Sequence, residues 1–449
     1  MLFSSLTFLL YFLPIVIILH YILPNRFQNA FLLLSSIVFY AWGEIAYVPL
    51  IAAILALDYL LSRLISSSKG NKARMYLIIG CMVNFGALFY YKYIGFLFEL
   101  LGLSEIAPDV ALPLGISFFT FQAAAYLVDI YRRDIAAEKN PITFSAFILM
   151  FPQLIAGPII RYADVSEELG RRRRPPAEML EKGILTFLGG LALKVLIANP
   201  LGELWVNAGA AAGMGSAWLA MIGYSMQIYF DFFGYSLMAV GIGKMLGLTF
   251  AQNFSDPYSS RSVTEFWRRW HITLGKWFRE YVYIPMGGNR RGKARTALNL
   301  FAVWALTGLW HGASLNFLLW GLYMLLLILL EKHFIKGFLE KHRTISHIYT
   351  LFAVFIGWML FTSDDLSRFP AIMSSLFSFT ESGEMLFWLR QYAFVLLLAV
   401  LLCIPKVTGA VKAAMKRTWV RLPAMAVLII LSLSALINSG YNPFLYFRF

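Results

Sequence analysis

The chain has 449 residues, 59% of them hydrophobic and 14% charged, against roughly a quarter charged in an average soluble protein. With a mean hydropathy of +0.68, this composition excludes a disordered chain, a disulfide-stapled secreted domain and an ordinary soluble enzyme, and indicates a polytopic integral membrane protein. Lys and Arg outnumber Asp and Glu by 38 to 24, a net charge of +14, which basic cytoplasmic loops explain without a nucleic-acid partner.

A membrane-spanning helix needs about 20 mostly apolar residues. In chain order the candidates are 5–24, 29–46, 48–64, 75–97, 113–131, 143–160, 183–198, 217–247, 297–313, 315–331, 348–362, 386–404 and 422–438. Open sheet edges do not survive in lipid, so the expected fold is all-α, with about 10–13 transmembrane or re-entrant helices. The N-terminal MLFSSLTFLLYFLPIVIILHYILP lacks the basic region and small-residue cleavage site of a signal peptide and reads as a retained first span. Cys81 and Cys403 sit in apolar stretches with no metal or redox spacing and are expected to be buried thiols. No internal repeat supports an inverted-repeat transporter.

Orientation follows the basic loops. Lys69, Lys72 and Arg74 mark a cytoplasmic loop, the segment around Glu105, Pro108 and Asp109 reads as outside, and Arg132, Arg133 and Lys139 return the chain to the cytoplasm. ITFSAFILMFPQLIAGPII (142–160) should then cross outward, yet Arg161 and the run Arg171 to Arg174 follow it. Both flanks look cytoplasmic, and Pro152, Gly157 and Pro158 interrupt any helix, so a re-entrant element is expected. Irregular backbone at membrane depth is tolerated only inside protein or along a watery cavity. Residues 248–296 interleave Arg261, Arg268, Arg269, Lys276, Arg279, Arg290, Arg291, Lys293 and Arg295 with aromatic side chains, a pattern for a helix lying in the cytoplasmic interface. Gly287, Gly288 and Asn289 then turn the chain into a second apolar hairpin.

Of the six histidines, His20 is expected at the interface, and His333, His342 and His347 in or beside a basic loop. His271 lies in TEFWRRWHITLGKWF and His311 in LTGLWHGASLNFLLWG. Across 297–331 the one charged side chain is Glu331 at the far end. A titratable ring there is costly unless it faces a cavity or a partner, which points to function; a core histidine donating to a backbone carbonyl is the plainer alternative. His271 has the further alternative of an ordinary place on an amphipathic helix. Neither has zinc-site spacing, and the chain has no G-x-S-x-G elbow or Walker loop. Two histidines forty residues apart can still meet, one as general base and one orienting a substrate. Asp58, Gln122, Asp129, Gln153, Lys194, Gln227, Asp231 and Asn316 add polar groups to apolar segments, where helix-to-helix hydrogen bonding is the ordinary role. Gln227 and Asp231 stand at i, i+4 on one helix face, with Gly234 permitting close approach.

PLGISFFTFQAAAYLVDIYR (113–132), FPQLIAGPIIRY (151–162), QIYFDFFGYSLMAVGIGKMLG (227–247), NFSDPYSSRSVTEFWRRWHITLGKWFREYVYIPMGG (253–288) and TGLWHGASLNFLLWGLY (307–323) resemble the membrane-bound O-acyltransferase family, in its bacterial polysaccharide branch. LFSSLTFLLYFLP at the start and NPFLYFRF at the end resemble that branch too. The resemblance implies a helical core with a central funnel from each side of the membrane: helices 1–112, a catalytic core over 113–331 with re-entrant and interfacial helices, and helices 332–449. By motif match, His311 corresponds to the family's catalytic histidine and His271 to its second histidine-or-asparagine position. Trp310, Asn316, Gln227, Asp231, Arg268 and Arg269 are the expected substrate-binding residues, with no metal and no bound cofactor. The implied activity moves an acetyl group from cytoplasmic acetyl-CoA across the bacterial inner membrane for O-acetylation of an alginate-like exopolysaccharide. An SGNH-type extracytoplasmic transferase or a small lipid-linked carrier is the implied partner. Peptidoglycan or teichoic acid as acceptor, a transporter or flippase without chemistry, and a scaffold for a polysaccharide synthase are the alternatives.

Overall fold

The computed structural model describes residues 1–155, 157–170, 174–211, 213–363, 365–380, 383–438 and 445. Arg171 to Arg173 of the arginine run, and all of the terminal NPFLYFRF except Leu445, lie outside the described residues. The described residues contain helices and no strand. They group into two compact units, Met1–Phe187 with Tyr235–Ala251, and Leu188–Gly234 with Gln252–Phe449.

The first unit begins with α1 (Leu13–Ile22), α2 (Gln28–Glu44), α3 (Val48–Ser67), α4 (Gly70–Leu88) and α5 (Ile94–Leu100). Pro49 stands in the first turn of α3, where the missing N–H has no helical partner to lose, whereas Pro14 lies inside a continuous helical run, directly after the wider π-helical turn Phe8–Phe12. Asp58 on α3 accepts from Asn84 Nδ2 on α4 at 2.7 Å, the helix-to-helix role expected of it. α6 (Ile116–Arg132) is buried on nearly every side, its buried residues including the polar Ser117, Thr120, Gln122 and Asp129. It starts after Gly115, whose φ of 72° and distance of 2.3 Å from a would-be Cβ to the Leu154 carbonyl oxygen exclude a side chain.

Residues 142–160 form a broken, buried element: α7 (Pro141–Leu149), a non-helical Met150, the single turn α8 (Phe151–Leu154), and irregular backbone beyond. Asn140 caps α7 by accepting from Ile142 N, and Phe151 joins Phe3, Phe8, Phe12 and Phe39 in an aromatic cluster. Buried irregular backbone of this kind agrees with the re-entrant expectation. α9 (Tyr162–Gly170) and α10 (Ala177–Ala192) follow.

The second unit holds α11 (Asn199–Ala210) and the part of α12 (Met214–Met245) up to Gly234. Then come α13 (Val263–Arg269), α14 (Ile272–Phe278), α15 (Gly292–His311), α16 (Leu315–Leu330), α17 (Lys336–Lys341), α18 (Arg343–Phe361), α19 (Phe369–Ser375), α20 (Glu384–Leu402), α21 (Pro405–Ala414) and α22 (Thr418–Asn438). In α13 and α14 the aromatic side chains Phe266, Trp270, Trp277 and Phe278 turn inward, while Arg261, Arg268, Lys276 and Arg279 are exposed, the amphipathic division expected of this stretch.

Seven helical stretches among the described residues are long and apolar enough to cross a membrane: Asn25–Ser67, Gly70–Leu100, Ala177–Ala210, Leu315–Lys341, Arg343–Phe361, Glu384–Leu402 and Thr418–Asn438. The chain is a multi-pass, all-helical membrane protein. One smaller expectation is corrected: both cysteines, expected to be buried, are half-buried. His20 is buried, and His347 is half-buried with Nδ1 3.0 Å from the Ser260 carbonyl oxygen.

Candidate active site

His311 is the last residue of α15, and its position is set by how closely α15 meets α16. Three glycines make that approach possible. A Cβ on Gly308 would lie 2.3 Å from the Phe317 carbonyl oxygen, one on Gly321 2.3 Å from the Trp304 carbonyl oxygen, and one on Gly312 2.0 Å from the Phe317 ring. Gly312 ends α15 in extended backbone, and Ser314 opens α16 two residues later. The hairpin is therefore tight, and it leaves the imidazole at its inner end, 3% exposed.

Aromatic rings wall that imidazole. Its centroid is 4.9 Å from that of Trp310, 5.2 Å from Trp320 and 5.2 Å from Phe361, all edge-to-face. Phe361 is held by Asn316, whose Nδ2 donates to the Phe361 carbonyl oxygen at 2.9 Å. The hydroxyl of Ser314 donates to Asn316 Oδ1, so the amide oxygen is engaged at the start of α16 while its nitrogen joins α16 to the end of α18.

His271 sits between α13 and α14 in the left-handed region, φ 45° and ψ 52°, where residues other than glycine are uncommon. Asn253 holds the turn. Its carbonyl oxygen accepts from Ile272 N at 3.0 Å, and its Oδ1 accepts from the Thr273 hydroxyl at 2.6 Å. The start of α13 is gripped by Glu331, whose buried carboxylate accepts from Val263 N, Thr264 N and the Thr264 hydroxyl at 2.5, 2.9 and 2.6 Å. A carboxylate at a helix N-terminus takes up N–H groups that the helix itself leaves unbonded.

The His271 ring packs edge-on to Phe232 of α12 at 4.7 Å and to Trp310 at 5.8 Å. The two histidines thus meet the same indole. Burial holds the His271 imidazole far below the ordinary value of 6.5, at about 3, so the ring is neutral. A neutral imidazole at His271 and a second imidazole at His311, both against aromatic rings, suit proton abstraction from a hydroxyl and hydrogen bonding to a carbonyl oxygen.

The other candidate residues divide. Trp310 lies between the histidines and Asn316 positions Phe361 against one of them. Gln227 and Asp231 are buried on α12, and Asp231 immediately precedes the Phe232 that touches His271. Asp231 is committed elsewhere: Lys194 Nζ lies 2.8 Å from its Oδ1 and 2.7 Å from Asn199 Oδ1, and Leu445 N donates to its Oδ2. Gly234 permits this approach, since a Cβ there would sit 2.6 Å from the Gly190 carbonyl oxygen. Arg268 is exposed, whereas Arg269 is bound to Glu265 at 2.6 Å and to the Ser259 hydroxyl at 2.6 Å. Trp320, Phe361, Phe232, Asn253 and the gripping role of Glu331 had no separate sequence signal. The first three read as core aromatics, and the other two act only through contacts distant in the chain.

The MBOAT, membrane-bound O-acyltransferase family, matches across residues 30–366. The chain is 33% identical to the probable alginate O-acetylase AlgI of Pseudomonas putida over 100% of both chains. To the probable alginate O-acetylase AlgI of Pseudomonas aeruginosa it is 38% identical, over 84% of this chain and 75% of that one. To the peptidoglycan O-acetyltransferase of Helicobacter pylori it is 30% identical, over 84% of this chain and 80% of that one. With a family match over most of its length and relatives of this extent, the chain belongs to the membrane-bound O-acyltransferase family and is an O-acyltransferase enzyme.

Proposed function

We propose that the chain takes an acetyl group from cytoplasmic acetyl-CoA and delivers it across the bacterial inner membrane for O-acetylation of an extracytoplasmic, alginate-like polysaccharide. The observation that carries this reading is His311, buried among aromatic rings at the end of α15 with a second, neutral histidine across Trp310. The names of the relatives supply the acyl group and the acceptor class: two are alginate O-acetylases and one a peptidoglycan O-acetyltransferase.

In the proposed step, His311 takes the proton of an acceptor hydroxyl as that oxygen adds to the thioester carbonyl. The tetrahedral intermediate collapses, the C–S bond breaks, and the proton passes to the departing thiolate of CoA. General-base assistance of this kind contributes about 10²–10⁴-fold. His271 or the Trp310 N–H stabilises the developing oxyanion. Arg268, Lys276, Arg290 and Arg291, all exposed, are the candidates to hold the CoA phosphates, with the arginine fork suited to bidentate contact. Arg269, already paired with Glu265, supports α13 instead. Acetyl-CoA is a substrate here, and no resident cofactor enters. An SGNH-type transferase outside the membrane, or a small lipid-linked carrier, completes delivery to the polysaccharide. The H. pylori relative keeps peptidoglycan as the second acceptor to test.

The test is CoA release and acetyl transfer by purified protein supplied with radiolabelled acetyl-CoA, comparing wild type with His311→Ala. Release that vanishes in a folded variant supports the reading. Equal release from both proteins, or none from either with partner and acceptor present, returns a transporter without chemistry to the front.

A further inference from the structure

The His311 imidazole has an indole on two sides, and only Trp310 has been given a role so far. Trp320, on α16, is fully buried and meets the His311 ring at 5.2 Å with an interplanar angle of 85°. An indole Nε1–H is a donor and nothing else, so burying it without an acceptor is costly. No acceptor bonds Trp320 Nε1 among the described residues. Elsewhere in the same unit the fold does satisfy this group. Trp358 Nε1 donates to the Tyr258 hydroxyl at 3.1 Å and Trp218 Nε1 to the Leu376 carbonyl oxygen at 2.9 Å. Trp358 is stacked 6.1 Å from Trp320, so a satisfied and an unsatisfied indole are neighbours in one cluster. Trp267, which also lacks a partner for Nε1 and packs edge-on against Trp320 at 5.4 Å, has its ring against tryptophans rather than against His311.

We propose that Trp320 is a further catalytic residue: its indole N–H is held for the carbonyl oxygen of the acyl group that reacts at His311. This rests on the reading of His311 as the acyl-transfer base. As the acceptor oxygen adds to the thioester carbon, the carbonyl oxygen gains the electron pair of the C=O π bond and becomes an oxyanion. The Trp320 N–H donates a hydrogen bond to it and keeps its proton throughout, and the bond strengthens as charge develops. No covalent bond to the indole forms or breaks. The aromatic walls supplied by Trp310, Trp320 and Phe361 exclude water from that oxygen, so a fixed donor there counts for more than it would in bulk solvent.

Trp320→Phe removes the donor and keeps an aromatic ring. Replacement of Trp320 by 3-benzothienylalanine keeps the indole shape and exchanges N–H for sulfur. Both variants are expected to lose about 10²-fold or more in kcat for acetyl transfer. The KM for acetyl-CoA is expected to stay within about twofold, the pattern of an interaction made in the transition state. Trp358→Phe is the structural control: its N–H is committed to Tyr258, so it should lower Tm in detergent more than kcat. Wild-type kcat in the benzothienylalanine protein, or a kcat loss in Trp320→Phe no larger than in Trp358→Phe, overturns the proposal while leaving His311 in place. Full activity in His311→Ala fails the underlying reading instead, whatever Trp320 does.

Discussion

His271 shows how much a single residue's backbone can carry. Its left-handed φ of 45° is tolerated by asparagine and penalised in β-branched residues. His271→Asn is therefore expected to fold with near wild-type Tm, whereas His271→Val should lose about 1–3 kcal/mol of stability. Circular dichroism melts in detergent distinguish the two. The buried ring also makes stability depend on pH in one direction. Its folded-state value of about 3 lies below the ordinary 6.5, so between them the unfolded chain binds the proton first. The stabilisation is complete above pH 6.5 and is lost as pH falls toward 3. Wild-type Tm should drop over that interval more steeply than the Tm of His271→Asn; parallel profiles would contradict a neutral buried imidazole.

At the scale of elements, the site is assembled by clamps between helices rather than by any one of them. Glu331, just beyond α16, anchors the start of α13, which leads to His271. Truncating it to alanine strands up to three donors at a cost of about 1–3 kcal/mol. Glu331→Gln, which keeps one acceptor, should recover part of the loss in Tm; a Tm equal to wild type in Glu331→Ala would show that the grip is dispensable. Lys194 and Asp231 form a second clamp between the segment after α10 and the middle of α12. Both are almost fully buried, so removing either charge alone leaves the other uncompensated, a loss of about 3–5 kcal/mol. The double replacement Lys194→Met, Asp231→Leu should be more stable than either single change, measured by thermal inactivation of the purified protein. Both clamps join residues far apart in the sequence. Their apolar surroundings advertised Lys194 and Asp231 as polar groups in need of partners, but nothing in linear spacing said that each was the other's partner.

For the whole molecule, the distribution of charge around apolar stretches predicts an orientation. The loop at Lys69–Gly70 and the loop at Arg290–Arg291 should face the same side, and the loop at Glu105 the opposite one. Single cysteines placed at Ser68, Asn289 and Ser104 in a protein lacking Cys81 and Cys403 report this through a membrane-impermeant thiol reagent. Labelling of Ser68→Cys and Ser104→Cys from the same side would overturn the assignment. Sequence by itself determined the class of protein, the helical fold, the broken element at 142–160 and the pair of histidines, because burial in lipid is a local demand written into composition and helix-breaking residues. Tertiary structure alone decided that both histidines meet Trp310, that Asn316 is engaged in holding α16 to α18, and that Trp320 presents an unsatisfied donor beside His311. Those facts depend on which faces of distant helices touch, and an aromatic or amide side chain in an apolar segment looks the same in sequence whether it fills a core or addresses a substrate.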